Sequence, residues 1–267
     1  MLGKLFKYDF IFKQKALVIY YILIVLFGAF GRLCGIFEGA IFSVISKIFI
    51  GASISMMFSA VITCVLRSWS RFRINFYKDE SYLTHSLPVT PDALFLAKFL
   101  SALASLFTSV AASLAGLLIC FYSKENFAAL KQFISGTFTL LAGGADFNLA
   151  AFLARGAVLI FCELLVILLF GYIGIVIGQR SQNNKIFLSV VIAICLDFAV
   201  QTVNLGVFYL FGKIFAWEEI VNLFTSNTLS LATFNKLIIL SIAVYAAECV
   251  ILYIIGNSAF KKGVNVE

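Results

Sequence analysis

The sequence predicts an all-α integral membrane protein with six transmembrane helices. Of its 267 residues, 62% are hydrophobic and 12% are charged, whereas soluble domains average roughly 45–50% apolar and 25% charged residues. Six windows contain the roughly 20 mainly apolar residues that a membrane-spanning helix needs. Lipid offers backbone groups no water partner, and the windows lack the alternation of barrel strands. Each window is therefore predicted to be helical.

The six predicted spans follow one another along the whole chain and define one transmembrane domain over residues 1–267. In order, they cover residues 16–37, 48–66, 93–122, 152–179, 186–211 and 237–257. The third and fourth windows are longer than a bilayer requires, which is typical of helices that tilt or continue beyond the membrane.

The distribution of lysine and arginine predicts that both termini are cytoplasmic. With the N-terminus inside, 13 of the 20 basic residues fall in cytoplasmic segments. The other 7 are Arg32, Lys47, Lys124, Lys131, Arg155, Lys213 and Lys236. Basic residues favour the cytoplasmic side, so this bias indicates an N-in, C-in topology. The net charge of +7 is then a topology signal, and nucleic-acid binding is the weaker interpretation.

A polar loop between the second and third spans, residues 82–91, contains both prolines and the single histidine of the chain. Pro88 keeps Leu87 out of the helical region. Thr90 can cap a helix that starts at Pro91, because proline lacks the N–H that would be unpaired at that position. These features predict a defined elbow that docks a partner. Its predicted docking residues are Tyr82, Leu83, Thr84, His85, Leu87, Pro88 and Pro91.

Three carboxylates, Glu163, Asp197 and Glu248, lie near the middle of the fourth, fifth and sixth windows. A mid-span charge costs roughly 2.5–3.5 kcal/mol on insertion scales, so each is expected to face protein or water. Gln201, Thr202 and Asn204 follow Asp197 and make the fifth helix the best candidate to line the central path or the dimer interface. One interpretation is a translocation path formed by Asp197, Gln201, Glu163 and Glu248. The other is structural, with polar side chains joining helices.

The residue pattern argues against an intramembrane enzyme. His85 is the only histidine and belongs to the cytoplasmic loop, so it forms neither a metal set nor a Ser-His-Asp arrangement at membrane depth. The six cysteines contain no Cys-x-x-Cys pair. The chain also lacks the G-x-x-x-x-G-K-[ST] motif that cradles nucleotide phosphates. We therefore predict no catalytic residue, no metal ligand and no cofactor held by this chain.

Two stretches carry a family resemblance. The first is the lysine-rich start Met1-Leu2-Gly3-Lys4-Leu5-Phe6-Lys7-Tyr8-Asp9-Phe10. The second, more specific stretch is Phe76-Tyr77-Lys78-Asp79-Glu80-Ser81-Tyr82-Leu83-Thr84-His85-Ser86-Leu87-Pro88-Val89, which runs on to Leu94, Lys98 and Ser101. Both resemble bacterial ABC transporter permease subunits of the ABC-2 type, in which the first stretch is an N-terminal amphipathic helix. Many relatives have glycine where this chain has Ser81.

The resemblance implies the permease subunit of an ATP-driven exporter in a bacterial cell membrane. It implies that two permease chains, identical or different, work with two separate ATPase subunits that bind ATP. It also implies that the loop between spans two and three is the coupling element that contacts the ATPase. The alternative function, which follows from the intramembrane carboxylates, is an ion- or proton-coupled secondary transporter.

Overall fold

The computed structural model describes residues 2–78, 80–86, 88–123, 125–126, 128–133, 136, 149–181, 184–215 and 231–262. The helices are α1 (Leu2–Cys34), α2 (Ala40–Tyr77), α3 (Ser81–His85), α4 (Pro91–Phe121), α5 (Leu149–Gly178), α6 (Lys185–Phe215) and α7 (Leu231–Lys261). No strand occurs in these ranges. The predicted all-α class is confirmed.

Six of these helices are long and apolar enough to cross a membrane, which confirms the predicted number of spans. The exception is α3, which has five residues. The helices begin before or end after the predicted windows, because hydropathy marks the apolar part of a helix rather than its ends. The lysine-rich start and the first span, for example, form the single helix α1. The fold is that of a multi-pass, all-helical membrane protein.

The chain divides into two compact units. The first comprises Met1–Ser123 together with Asn257–Glu267, and the second comprises Lys124–Gly256. Helices α1 to α4 belong to the first unit, and α5 and α6 belong to the second. Helix α7 passes from the second unit into the first at Asn257. The prediction of one transmembrane domain over residues 1–267 stays a prediction.

In the first unit, α1 packs against both α2 and α4 through small and polar residues. Ser46 donates a hydrogen bond to the Gly31 carbonyl at 2.7 Å, and Ser53 donates to the Ile24 carbonyl at 2.9 Å. Tyr21 on α1 is hydrogen-bonded to Ser109 on α4 at 2.8 Å. Small side chains allow helices to approach closely in lipid, and hydroxyl groups then join them through hydrogen bonds.

In the second unit, α5 and α6 form a close-packed pair. A Cβ atom added at Gly178 would lie 2.5 Å from the backbone nitrogen of Ser189 and 2.6 Å from its Cα. One added at Gly174 would lie 2.5 Å from the Ser189 carbonyl oxygen. Backbone atoms cannot rotate out of the way, so only glycine permits this approach of the two helices.

Gly178→Ala is expected to separate α5 from α6 and to destabilise the protein by about 1–3 kcal/mol through overpacking. The matched control is Gly206→Ala on α6, since no described atom lies within 4 Å of a Cβ placed there. Thermal unfolding of detergent-purified protein compares the two variants. Equal melting temperatures for Gly178→Ala and wild type would show that the close helix approach is absent.

Candidate functional site

The loop that the sequence predicts to dock a partner is built around α3. Arg71 on α2 donates a hydrogen bond to Glu80 Oε1 at 2.8 Å and forms an ion pair with that carboxylate. Thr84 Oγ1 donates to the Glu80 carbonyl at 2.9 Å. Ser81, at the start of α3, is only 2% exposed. These contacts fix the first turn of α3 against the end of α2.

Two neighbouring apolar side chains project from α3. Tyr82 is 80% exposed and Leu83 is 68% exposed. Ser86 Oγ donates a hydrogen bond to the Leu83 carbonyl at 2.9 Å. The structure therefore exposes two of the predicted docking side chains on a short helix that is bonded to α2, and their docking role stays a prediction.

The structure describes the side chains of only some of the remaining predicted loop residues. Thr84 is half-buried, and Pro88 and Pro91 are exposed. Leu87 and the His85 side chain lie outside the described residues. The contribution of these residues to docking stays a prediction.

Helix α4 starts at Pro91, as predicted, but the Thr90 side chain makes no capping hydrogen bond. Thr90 therefore occupies the N-cap position, as expected, but the expectation that its side chain bonds the helix end is wrong. The carboxylate of Asp92 in the first turn instead accepts a hydrogen bond from Asn257 at 2.6 Å and pairs with Lys261 at 2.8 Å. A carboxylate is favourable at a helix N-terminus, and here it also ties α4 to the end of α7.

An aromatic cluster packs three helices, α2, α4 and α7, against one another. Phe72 and Phe76 on α2, Phe95 on α4 and Phe260 on α7 are all 2% exposed or less. The Phe260 ring centroid lies 4.7 Å from that of Phe76 and 5.8 Å from that of Phe95. Ring pairs at these separations add to the energy of burial. The sequence shows helical spacing of Phe72 and Phe76, but it gives no signal for Phe260.

A buried charge cluster, which was not predicted from the sequence, joins α1 to α4. Asp9 accepts hydrogen bonds from Lys98 at 2.5 Å, from Lys13 at 2.7 Å and from the Ser101 hydroxyl. Lys13 is 1% exposed and Lys98 is 8% exposed. Lys13 and Lys98 are among the 13 basic residues that the sequence assigns to cytoplasmic segments. The only local signal was the spacing of Asp9 and Lys13, which places them on one helix face.

In the second unit, the four predicted path residues lie within electrostatic interaction range of one side chain, Tyr245 on α7. The Tyr245 hydroxyl on α7 interacts with the Gln201 side chain, and Glu163, Glu248 and Asp197 act on it electrostatically. The three carboxylates are half-buried, and Gln201 is exposed. Tyr245 was missed because nothing in an apolar span distinguishes a polar tyrosine contact from a packed ring.

Asn204 extends this carboxylate cluster, here defined as Glu163, Asp197, Gln201 and Glu248 around Tyr245. Its side chain interacts with Glu248. Asn204 Oδ1 and Glu248 Oε2 are buried and have no hydrogen-bond partner among the described residues. The carboxylate cluster therefore contains buried polar atoms that lack a hydrogen-bond partner in the described part of the chain. In the described part of the chain, no group of carboxylate, cysteine and histidine side chains has the arrangement of a metal site.

The class of protein that these features define is an all-helical, multi-pass membrane protein with two exposed apolar side chains on α3 and polar side chains within its long helices. No protein-family model, curated protein or solved structure matches the chain. Its function is therefore argued from the sites themselves.

Proposed function

We propose that this chain is the membrane-spanning permease subunit of an ATP-driven ABC exporter. It pairs with a second permease chain and works with a separate ATPase subunit in a bacterial cell membrane, with both termini cytoplasmic. The observation that carries the proposal is the α3 loop, where Tyr82 and Leu83 are exposed while Glu80 and Ser81 are held on α2. Exposed apolar side chains on a helix that is bonded to α2 are suited to contact a partner and to pass its movement on to α2.

The contacts around α3 suggest how the loop acts on the membrane helices. The Arg71–Glu80 pair links α3 to α2. The next helix, α4, begins at Pro91 and is tied through Asp92 to the end of α7. A displacement of the loop by an ATPase would therefore reach three helices at their ends. Helix α7 also carries Tyr245 of the carboxylate cluster.

Leu83→Glu tests the docking role. The substitution places a charge where an apolar contact with the ATPase is proposed, and an unpaired charge in a packed contact is costly. We expect complexes isolated through a tag on this chain to lose most of their ATP hydrolysis. Leu83 is 68% exposed, so the variant itself should fold and insert normally.

The matched control is Leu83→Met, which keeps an apolar side chain of similar size and is expected to retain ATP hydrolysis. Protein amount and elution volume confirm that each variant is intact. If Leu83→Glu complexes hydrolyse ATP at the wild-type rate, α3 does not couple the ATPase to this chain.

The carboxylate cluster supports a translocation path as part of the same proposal, and it also favours the alternative of an ion- or proton-coupled carrier. In either case Asp197 is expected to matter most, because Gln201 and Asn204 continue the polar side of α6. Asp197→Asn removes the charge and keeps the shape. It should abolish complementation of a strain that lacks this chain, with normal protein levels.

The structural interpretation of the cluster gives the opposite pattern. Asparagine would then be tolerated, because it keeps the hydrogen bonds, whereas Asp197→Leu would lower the amount of folded protein by removing a polar contact between helices. Wild-type complementation by Asp197→Asn would end the path hypothesis. The energy source distinguishes a proton-coupled carrier from an ATP-driven exporter. A protonophore stops transport by a proton-coupled carrier even when cellular ATP is maintained.

A further inference from the structure

A cleft of about 330 Å³ opens in the first unit between α1, α2 and α4. Its polar wall consists of the carboxylate Asp9 together with Lys15, Arg71, Asn75 and Lys98, and its apolar wall includes Tyr8 and Phe12. The predicted spans place this wall at the membrane surface. Lys15 immediately precedes the first apolar window, and Arg71 follows the second.

The side chains at and behind the cleft carry an excess of positive charge. Lys13 and Lys98 share the single carboxylate of Asp9, and Arg71 pairs with Glu80. Lys15 has no ion-pair partner among the described residues. Four cations therefore face two carboxylates. Asp9 is the single carboxylate beside two buried lysines, and the exposed Lys15 adds a further positive charge at the edge of the cleft, so the cleft favours an anion.

Hydrogen-bonding capacity in the cleft is also unused. Arg71 Nε and Asn75 Oδ1 are buried and have no hydrogen-bond partner in the described part of the chain. The Lys98 ammonium has three N–H donors, and the described structure gives it one acceptor residue, Asp9. An anion with several oxygen atoms could accept from Arg71, Lys98 and Lys15 together. A ligand hydroxyl could donate to Asn75.

The apolar wall indicates that this anion is attached to a hydrocarbon chain. Tyr8 is 74% exposed and Phe12 is 46% exposed, and the Arg71 guanidinium lies 4.1 Å from the centroid of the Phe12 ring. One wall of the cleft therefore carries cations and hydrogen-bond donors, and the other is an exposed aromatic surface. The predicted spans place both walls at the depth of lipid headgroups. Basic pockets between transmembrane helices on the cytoplasmic side suit anionic lipid headgroups.

We propose that this cleft binds the phosphodiester headgroup of an anionic phospholipid. Lys15, Lys98 and Arg71 contact the phosphate oxygens, Asn75 accepts a hydrogen bond from a headgroup hydroxyl, and the acyl chains lie along Tyr8 and Phe12. The site does not depend on the proposed transport function, because it needs neither an ATPase nor a substrate.

The test is binding of short-chain phosphatidylglycerol to the purified full-length chain in a neutral detergent, with short-chain phosphatidylcholine and inorganic phosphate as comparison probes. Wild-type protein should bind phosphatidylglycerol in preference to phosphatidylcholine, and inorganic phosphate should not displace it. Lys15→Gln should weaken phosphatidylglycerol binding about fivefold, the effect of losing one basic contact at a membrane surface.

Two further variants make the outcome decisive. Lys4→Gln removes the same charge from an exposed position of the same helix outside the cleft, and it should leave binding unchanged. Arg71→Lys keeps the charge but loses Nε, and it should weaken binding. Equal affinity for both lipids, equal losses with Lys4→Gln and Lys15→Gln, or displacement of the lipid by inorganic phosphate would each overturn the proposal.

Discussion

Asp9→Ala is expected to destabilise the protein by about 3–5 kcal/mol, because it leaves two buried ammonium groups without their counter-ion. In the wild type, Asp9 lies 2.7 Å from the Lys13 Nζ and 2.5 Å from the Lys98 Nζ. Water reaches neither lysine readily, since Lys13 is 1% exposed and Lys98 is 8% exposed. We expect the melting temperature of the purified protein to fall by roughly 10 °C.

The chain offers a matched control for this prediction. Asp92 also accepts from a lysine, Lys261, but both side chains of that pair are about half exposed. Water can solvate the lysine that remains, so Asp92→Ala should change the melting temperature little. A variant that combines Asp9→Asn, Lys13→Met and Lys98→Met should recover most of the lost stability, because buried ion groups can be replaced by apolar ones. Equal effects of Asp9→Ala and Asp92→Ala would contradict the buried cluster.

Phe260→Ala is expected to have the second largest effect, about 3–5 kcal/mol, because it opens a cavity among packed aromatic rings. Phe260 is 2% exposed, and its ring centroid lies 6.2 Å from that of Phe72 and 4.7 Å from that of Phe76. The loss should release the end of α7 from the first unit. We therefore expect a lower melting temperature and faster hydrogen exchange at residues 257–261.

Phe58→Ala is the control for the loss of one aromatic ring. Phe58 lies on α2 in the same unit and is 68% exposed, so its removal leaves no internal cavity. Its hydrogen exchange at residues 257–261 should match that of the wild type. If Phe260→Ala leaves this exchange unchanged, the aromatic cluster does not hold the end of α7.

The parts of the structure that follow local rules were predictable from the sequence. Apolar windows gave the six spans because a helix in lipid needs a minimum apolar length. The start of α4 at Pro91 followed from the missing proline N–H. Even here the local rule was incomplete. The Thr90 side chain makes no capping hydrogen bond, and Asp92 accepts a hydrogen bond from Asn257, 165 residues away in the sequence.

The contacts that define the sites could not be read from the sequence, since they join residues far apart in the chain. Lys98 contacts Asp9 across 89 positions. Tyr245 interacts electrostatically with side chains on α5 and α6. Only the packed helices show that three separate mid-span carboxylates act on the same tyrosine. Hydropathy treats Lys13 and Lys98 as surface charges, because it contains no information about a partner that neutralises them.

Site-specific photo-crosslinking in native membranes tests the proposal that α3 docks an ABC ATPase. A photoreactive phenylalanine derivative is placed at Tyr82, which is 80% exposed, and for comparison at Tyr209 on α6, which is 59% exposed. We expect a Tyr82 adduct that mass spectrometry identifies as an ABC ATPase, and no such adduct from Tyr209. Correctly inserted protein that yields no ATPase adduct from Tyr82, or that yields the same adduct from Tyr209, would contradict the proposal.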